Sequence, residues 1–447
     1  MIRLTSYEQA FARLPEGIRE AEVNAERRNV TKLYVAHGAI QGSEAYVQTK
    51  YYVRASGERT GMVYTENPEE DAVQVLQRAM RNAAFATSLE PEPMNTGWAP
   101  QHVTDTPVPT VAGLLDCAAR LEKLLAGAVI PELSITCTER ELRTLNSHGY
   151  DANSRTVHIQ LYVRLILSRE GMQDSEIETS VSAERLDSLD VPAFAARALR
   201  LADAYDGGGL APVTISGGKY DAVLSGQVMR NILMTAWRAF SAEAMQHGSS
   251  CFHGRGERAG SAAFSMINAP SHPLSGECWP IDSEGTAMKE TLVVDHGIIR
   301  EPLYTLASAK ADGAVSNGCT GRVPCMTGNV PISLTTVPGM IYVKPGARTE
   351  AELLEQLHTG LYLTYSLDLF HSVNIASGEF SVPCGGVIYE NGRPVGSVSQ
   401  ITVAGRLPEL FAAIESVADD LDFDDFYFHN YAVGSPAVLA RGLTFAS

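Results

Sequence analysis

Residues 223–251, VLSGQVMRNILMTAWRAFSAEAMQHGSSC, decide how the rest of the chain is read. Residues 221–224 have the composition of a short strand, and Ser225-Gly226 that of a turn. Val228, Ile232, Leu233, Ala236, Phe240 and Ala244 then recur at helical spacing. That spacing predicts one long helix over 227–247, ended by Gly248-Ser249-Ser250. Strand, turn and long helix form a frame on which a zinc hydrolase can carry His-Glu-x-x-His or a close variant. Here the helix has no His before His247 and a single acid, Glu243. Ser225 stands in Leu-Ser-Gly and lacks the Gly-x-Ser-x-Gly pattern of a nucleophile elbow, so a helix cap is its expected role.

Working outward, the C-terminal third carries an ordered series of short motifs. They are SNGCTGR at 316–322, VPG at 337–339, GLYLT at 360–364 and VNIASGEFS at 373–381. Gly385-Gly386, IYENG at 388–392, ITVAG at 401–405 and GSP at 434–436 follow. With Val-Leu-Ser and the apolar helix, this order resembles the TldD/PmbA family, also called TldD/TldE and known by the older label modulator of DNA gyrase. The resemblance is strong over 220–447 and weaker over 1–205.

In that family the TldD branch carries His-Glu-x-x-x-His on the helix and a Cys ligand near the C-terminus. A gap-free reading from Val223 places the three helix positions on Met234, Thr235 and Ala239, and no Cys follows Cys384. The chain therefore resembles the PmbA (TldE) branch, the subunit without the metal. The resemblance implies no cofactor and no metal in this chain, and zinc in a TldD-like partner. It implies a heterodimer with that partner, a homodimer, or both, acting on unfolded peptides. It also implies a closed cavity bordered by the glycine loops at 254–256 and 313–321. Within the matched motifs, Asn317, Arg322, Asn374 and Ser377 are candidates for holding an extended peptide backbone. Turn chemistry accounts for Asn and Ser at such positions equally well.

Two alternatives stand beside this one. A stand-alone peptidase would need a non-standard metal site from His247, Cys251, His253, His272 and Cys278, donors that suit zinc but match no known spacing. Glu243 and His247 lie one helical turn apart and can meet as an acid–base pair. A homodimeric peptide-binding module would show affinity without chemistry.

Composition bounds the rest. The 447 residues allow two or three domains, and 45% apolar with 19% charged residues is ordinary for a globular protein. A net charge of −17 excludes a general nucleic-acid binder. Seven cysteines without a Cys-x-x-Cys pattern fit reduced thiols. The N-terminus lacks the apolar run of a signal peptide, and no stretch is apolar enough for a membrane span, so the cytoplasm is the expected location.

The predicted fold is α+β. An N-terminal antiparallel sheet with packed helices spans 1–205, and a β-rich unit crossed by one long helix spans 212–447. Tyr205-Asp-Gly-Gly-Gly marks the boundary. In the N-terminal unit the pattern predicts a helix over 7–28 and strands at 32–40, 44–55 and 60–65 with a turn at Gly42-Ser43. A helix capped by Asn67, helices at 111–125 and 191–204, a hairpin over 132–145, and strands at 156–168 and 175–183 joined around Glu170-Gly171 follow. Beyond the boundary it predicts a hairpin over 291–302, a hairpin turn at Asn391-Gly392, a helix over 407–420 and a solvated acidic loop at 419–425.

Overall fold

The computed structural model describes residues 2–86, 90–168, 174–205, 207, 209–322, 333–367, 372–424 and 431–446. The first part is one seven-stranded sheet. Its order is Thr60–Thr65, Ala39–Ser56, Glu20–Ala36, Val129–Asn146 and Asp151–Leu167, with Ser175–Ala183 and the short Gln101–Val103 both paired to the last. Neighbours run antiparallel except Gln101–Val103. Helices Ala72–Asn82, Val111–Leu124 and Val191–Tyr205 cover it and close two apolar cores.

Several local expectations give way to the sheet. The helix predicted over 7–28 is only Thr5–Ala12, and residues from Glu20 onward form a strand. That strand has a partner on both sides, so its backbone groups are satisfied without helical bonds. Ala21, Val23 and Ala25 point into the core at period two. The first hairpin turns at His37-Gly38, where both residues take positive φ, and Gly42 lies within the strand. The hairpin predicted over 132–145 is a single strand, held straight by pairing with Glu20–Ala36 and Asp151–Leu167 along its length. Asp71, not Asn67, caps the next helix, accepting from the Gln74 N–H at 2.9 Å. Asn67 instead accepts from the Glu69 N–H in a turn just before it. The turn predicted at Glu170-Gly171 lies outside the described residues.

Among the described residues, the C-terminal part holds two six-stranded sheets beside a two-stranded one. In one, Arg393–Arg406, Glu379–Glu390, Gly360–Ser366, Gly218–Leu224 and Val438–Ala446 pair in succession. A further pairing of Arg393–Arg406 with Val438–Ala446 returns the sheet on itself, which removes two open edges. The other runs Ile298–Ile299, Thr291–Asp295, Met266–Ala269, Met340–Val343, Ala432–Ser435 and Asp422–Asp424. The hairpins at Asp295–Ile298 and Asn391-Gly392 form as predicted, with His296, Gly297, Asn391 and Gly392 all at positive φ.

Helix Gly226–Ala236 enters the largest core and is buried nearly all round, as a helix wedged between sheets must be. Ser225 caps it, its Oγ accepting from the Val228 N–H. The single long helix expected here is interrupted. Trp237–Phe240 tightens to a 3-10 turn, Ser241 is extended, and a short helix Ala242–Gln246 restarts. The cause is tertiary. Leu303 pairs with Ser241 as a β-bridge, with the Ala242 N–H donating to the Leu303 carbonyl and the Leu303 N–H to the Phe240 carbonyl, both at 3.0 Å. The helix predicted over 407–420 is Leu407–Ala413, after which Ile414–Val417 pairs with Val438–Ala446. The acidic run is an exposed loop only at Asp419-Asp420, and Asp425 lies outside the described residues. Asp422 opens a strand and binds Arg230 at 2.8 Å and Arg197, and Asp420 accepts from the Ala437 N–H.

Candidate functional site

The helix interruption opens a cleft of about 380 Å³. Trp237, Arg238, Ser241, Glu243, Ala244, His247 and Ser249 line one side, Thr335 and Thr336 a second, and Ile375 a third. Thr335–Thr336 is a two-residue strand paired with Thr320–Gly321, which ties the cleft to the 316–322 motif. Ile375 belongs to the 373–381 motif, and its carbonyl accepts from the Cys251 N–H at 2.7 Å. Three segments far apart in sequence thus meet where the helix breaks.

Its polar groups form a short chain of hydrogen bonds. Ser241 Oγ donates to Thr336 Oγ1 at 2.9 Å, and Thr336 Oγ1 donates on to Glu243 Oε2 at 3.3 Å. The same oxygen accepts from Thr335 Oγ1 at 3.0 Å and from the Thr336 N–H at 3.1 Å. Glu243 is therefore held by the opposite wall, while His247 is exposed at the rim. Arg238 is half-buried with its guanidinium 5.7 Å from the Trp237 ring.

The donor set does not fit a zinc ion. Met234, Thr235 and Ala239 carry no imidazole, thiolate or carboxylate, and Met234 and Ala239 are buried in apolar packing. Among the described residues, no group of three or more His, Cys, Asp or Glu is placed to hold a metal. The five soft donors singled out in the sequence do not converge. His253 turns to Glu257, Cys251 abuts Gly378, and His272 packs 5.1 Å from the Tyr342 ring and 5.0 Å from that of Phe423. Burial holds the His272 imidazole below its usual range, pushes the Cys251 thiol up to about 11 and the Cys278 thiol to about 12. Neither thiol is activated. Cys325 lies outside the described residues.

The four motif residues divide into two pairs. Asn317 is buried, accepting from the Tyr304 N–H at 2.8 Å and donating to the Pro302 carbonyl at 2.9 Å. Arg322 is buried against the N-terminal sheet, donating to Asn24 Oδ1 at 3.0 Å and stacking 3.9 Å over the Tyr52 ring. Asn374 and Ser377 sit on the exposed loop beside the cleft. Asn374 Oδ1 accepts from the Ala376 and Ser377 N–H groups, and Ser377 Oγ donates to Glu379.

Arg322 adjoins a buried ionic seam that no sequence pattern announced. Arg54, on the N-terminal sheet, reaches Glu22 at 2.8 Å, Glu92 at 3.5 Å and Glu284 at 3.6 Å. Thr320 Oγ1 donates to Glu284 at 2.6 Å and the Thr320 N–H to Asp282 at 3.1 Å. Burial raises the Asp282 and Glu284 carboxyls above their usual range, and each one's neighbouring carboxylates add to the shift. Burial also works against the Arg54 charge, but Glu22 and Glu284 outweigh it. Burial lowers the Arg322 guanidinium to about 10. The only sequence signal was the run of polar residues in the 316–322 motif.

A family model described as the PmbA/TldA metallopeptidase C-terminal domain matches residues 217–447, more than half of the chain. A metalloprotease PmbA homolog from Haemophilus influenzae is 30% identical over 149 residues, 32% of this chain and 28% of that protein. An uncharacterised protein of Methanocaldococcus jannaschii is 24% identical over 294 residues, 64% of this chain and 63% of that one. The alignments thus span less than two thirds of each relative. The solved structure of TldE from Thermococcus kodakarensis superposes with a TM-score of 0.78 at 18% identity, covering 99% of this chain and 100% of that one. It shares the α+β fold.

Proposed function

From the premise that this chain belongs to the PmbA/TldD metallopeptidase family, we propose that it is the TldE-like, non-cleaving subunit of a peptidase. A TldD-like subunit supplies the zinc and the hydrolysis. This chain contributes the cleft at Trp237–Ser249 as part of the cavity that holds an unfolded peptide, with Asn374 and Ser377 at its rim. Asn317 and Arg322, being buried and bonded, frame that cavity and do not touch the peptide. The observation that carries the proposal is the pairing of a formed cleft with Met234, Thr235 and Ala239 at the helix positions where zinc ligands would stand.

The chain's own residues bind and orient. The Ser241–Thr336–Glu243 chain fixes the cleft walls, and the half-buried Ile375 side chain gives it apolar surface. We further propose that 1–205 and 212–447 are separate folding units and that the protein works in a reducing cytoplasm. The six described cysteines are free thiols, which supports the second point. No helix among the described residues is long and apolar enough to cross a membrane.

The test is purification of the chain alone, elemental analysis for zinc, and assay on casein with and without a TldD-like partner. Expected are no stoichiometric zinc and no cleavage alone, with turnover on adding the partner. Chelator-sensitive cleavage by the chain alone would overturn the assignment in favour of a stand-alone peptidase.

A further inference from the structure

The cleft contains one cationic side chain without an ion pair or hydrogen bond among the described residues, Arg238. Glu243 has three donors on Oε2. Ser241 and Ser249 donate to Thr336 Oγ1 and to the Ala244 carbonyl. Arg238 differs. Its guanidinium lies 5.7 Å from the Trp237 ring and its charge acts on Tyr431, but among the described residues it has neither an ion pair nor a hydrogen bond. A guanidinium presents five N–H donors in a rigid fork. Other half-buried arginines of this acidic protein have carboxylate partners, among them Arg140 on Glu26, Arg155 on Glu139 and Arg197 on Asp422.

The ring contact also matters. Trp237 is buried, and it offers the guanidinium a face without consuming any of its donors. The fork is thereby positioned at the cleft wall while its N–H groups remain available. What is missing is an acceptor, and the complement of a fixed fork is a planar anion bound through two oxygens.

We propose that Arg238 is a specificity-determining residue that binds a carboxylate of the peptide, so that the cleft selects substrates with an acidic side chain or a free C-terminus at this position. The inference rests on the peptide-holding role proposed above and adds the substrate's chemical class. Glu243 lies in the same cleft and its charge opposes a second anion, but it is bound to the opposite wall and makes no ion pair with Arg238 among the described residues, so the guanidinium is left for a ligand carboxylate.

The experiment is calorimetric titration of the full chain, with and without the TldD-like partner, against three pentapeptides and an amidated form of the third. One has an internal Glu with acetylated and amidated ends, the second has Gln in its place, and the third is all-alanine with a free C-terminal carboxylate. A charge-assisted, two-point contact gives on the order of tenfold tighter binding of the Glu peptide over the Gln peptide. Preference for the third peptide over its amidated form identifies the terminus as the source instead. Arg238→Gln brings the Glu-to-Gln ratio to near one, and Arg238→Lys restores only part of it, because an ammonium lacks the fork. Equal affinity for all peptides overturns the carboxylate inference and leaves the peptide-holding role intact. No binding of any peptide, by a chain whose melting curve is unchanged, overturns both.

Discussion

Two regions built on the matched motifs show opposite designs. At the seam where Arg54 meets Glu22, Glu92 and Glu284, buried Arg54, Glu22 and Glu284 and half-buried Glu92 pair within the chain, and only Arg54 Nη2 and Glu22 Oε2 among these charges' buried atoms lack a hydrogen-bond partner among the described residues. At the cleft made by the helix interruption, a half-buried arginine is left unanswered beside a wall of hydroxyls. Polar groups taken from water must find partners during folding or cost stability. The seam meets most of that demand internally through ion pairs, and so its residues serve architecture. The cleft leaves it open, and so its residues can serve a ligand. The motif positions Asn317 and Arg322 fall on the first side and Asn374 and Ser377 on the second.

The sharpest way to break this contrast is at the seam. Arg54→Ala leaves the Glu22 and Glu284 carboxylates buried without their cation and is expected to cost about 3–5 kcal/mol in urea unfolding. Arg238→Ala, which breaks no internal ion pair, should stay within about 0.5 kcal/mol of the parent. Similar costs for both would show that the cleft is also structural. Asn317→Ala orphans the Tyr304 N–H and the Pro302 carbonyl, for an expected loss of about 1–3 kcal/mol in the same measurement. A larger effect on peptide affinity than on stability would move Asn317 to the ligand side.

Ser241→Ala removes the cap of the restarted helix and the donor to Thr336, and should cost about 1 kcal/mol by thermal melting. It should also weaken peptide binding, because it releases the wall that holds Glu243. Smallest is the pH effect. Asp282 and Glu284 have raised values when folded and ordinary ones when unfolded, so the folded state binds protons more tightly. Their contribution is complete below the ordinary carboxylate range and is lost as pH rises through the raised values. Melting temperature should therefore gain on moving from pH 8 toward pH 5, and Glu284→Gln should flatten that gain. His272, whose imidazole burial shifts below its usual range, pulls the other way, so the difference between variant and parent is the quantity to follow. Identical slopes would mean that the pair does not take up a proton in this window.

Much of the frame was legible in the sequence. Helices at Val111–Leu124 and Val191–Tyr205 follow directly from apolar periodicity, and Asn391-Gly392 turns as its residue types require. Glu20–Arg28 misled because its charged residues sit at spacings that suit a helix, while the pairing that makes it a strand comes from residues 48–56 and 140–146. The candidate site was half legible. The absence of zinc donors at Met234, Thr235 and Ala239 needed only the motif order. The cleft needed the interruption of the helix, and nothing between Trp237 and Ser241 forbids helix by propensity.

The sequence by itself determined the mixed α+β class, the family resemblance over 220–447 and the identity of the groups available for chemistry. Those depend on residue types at local spacing, which the chain carries wherever it folds. Only the tertiary structure decided that Leu303 would pair with Ser241, that Thr335 and Ile375 would line the same cleft as Arg238, and that Arg54 would be matched and Arg238 left over. Pairing and burial are relations between residues tens to hundreds of positions apart, and the free energy of a charge is set by those neighbours, not by its own place in the chain.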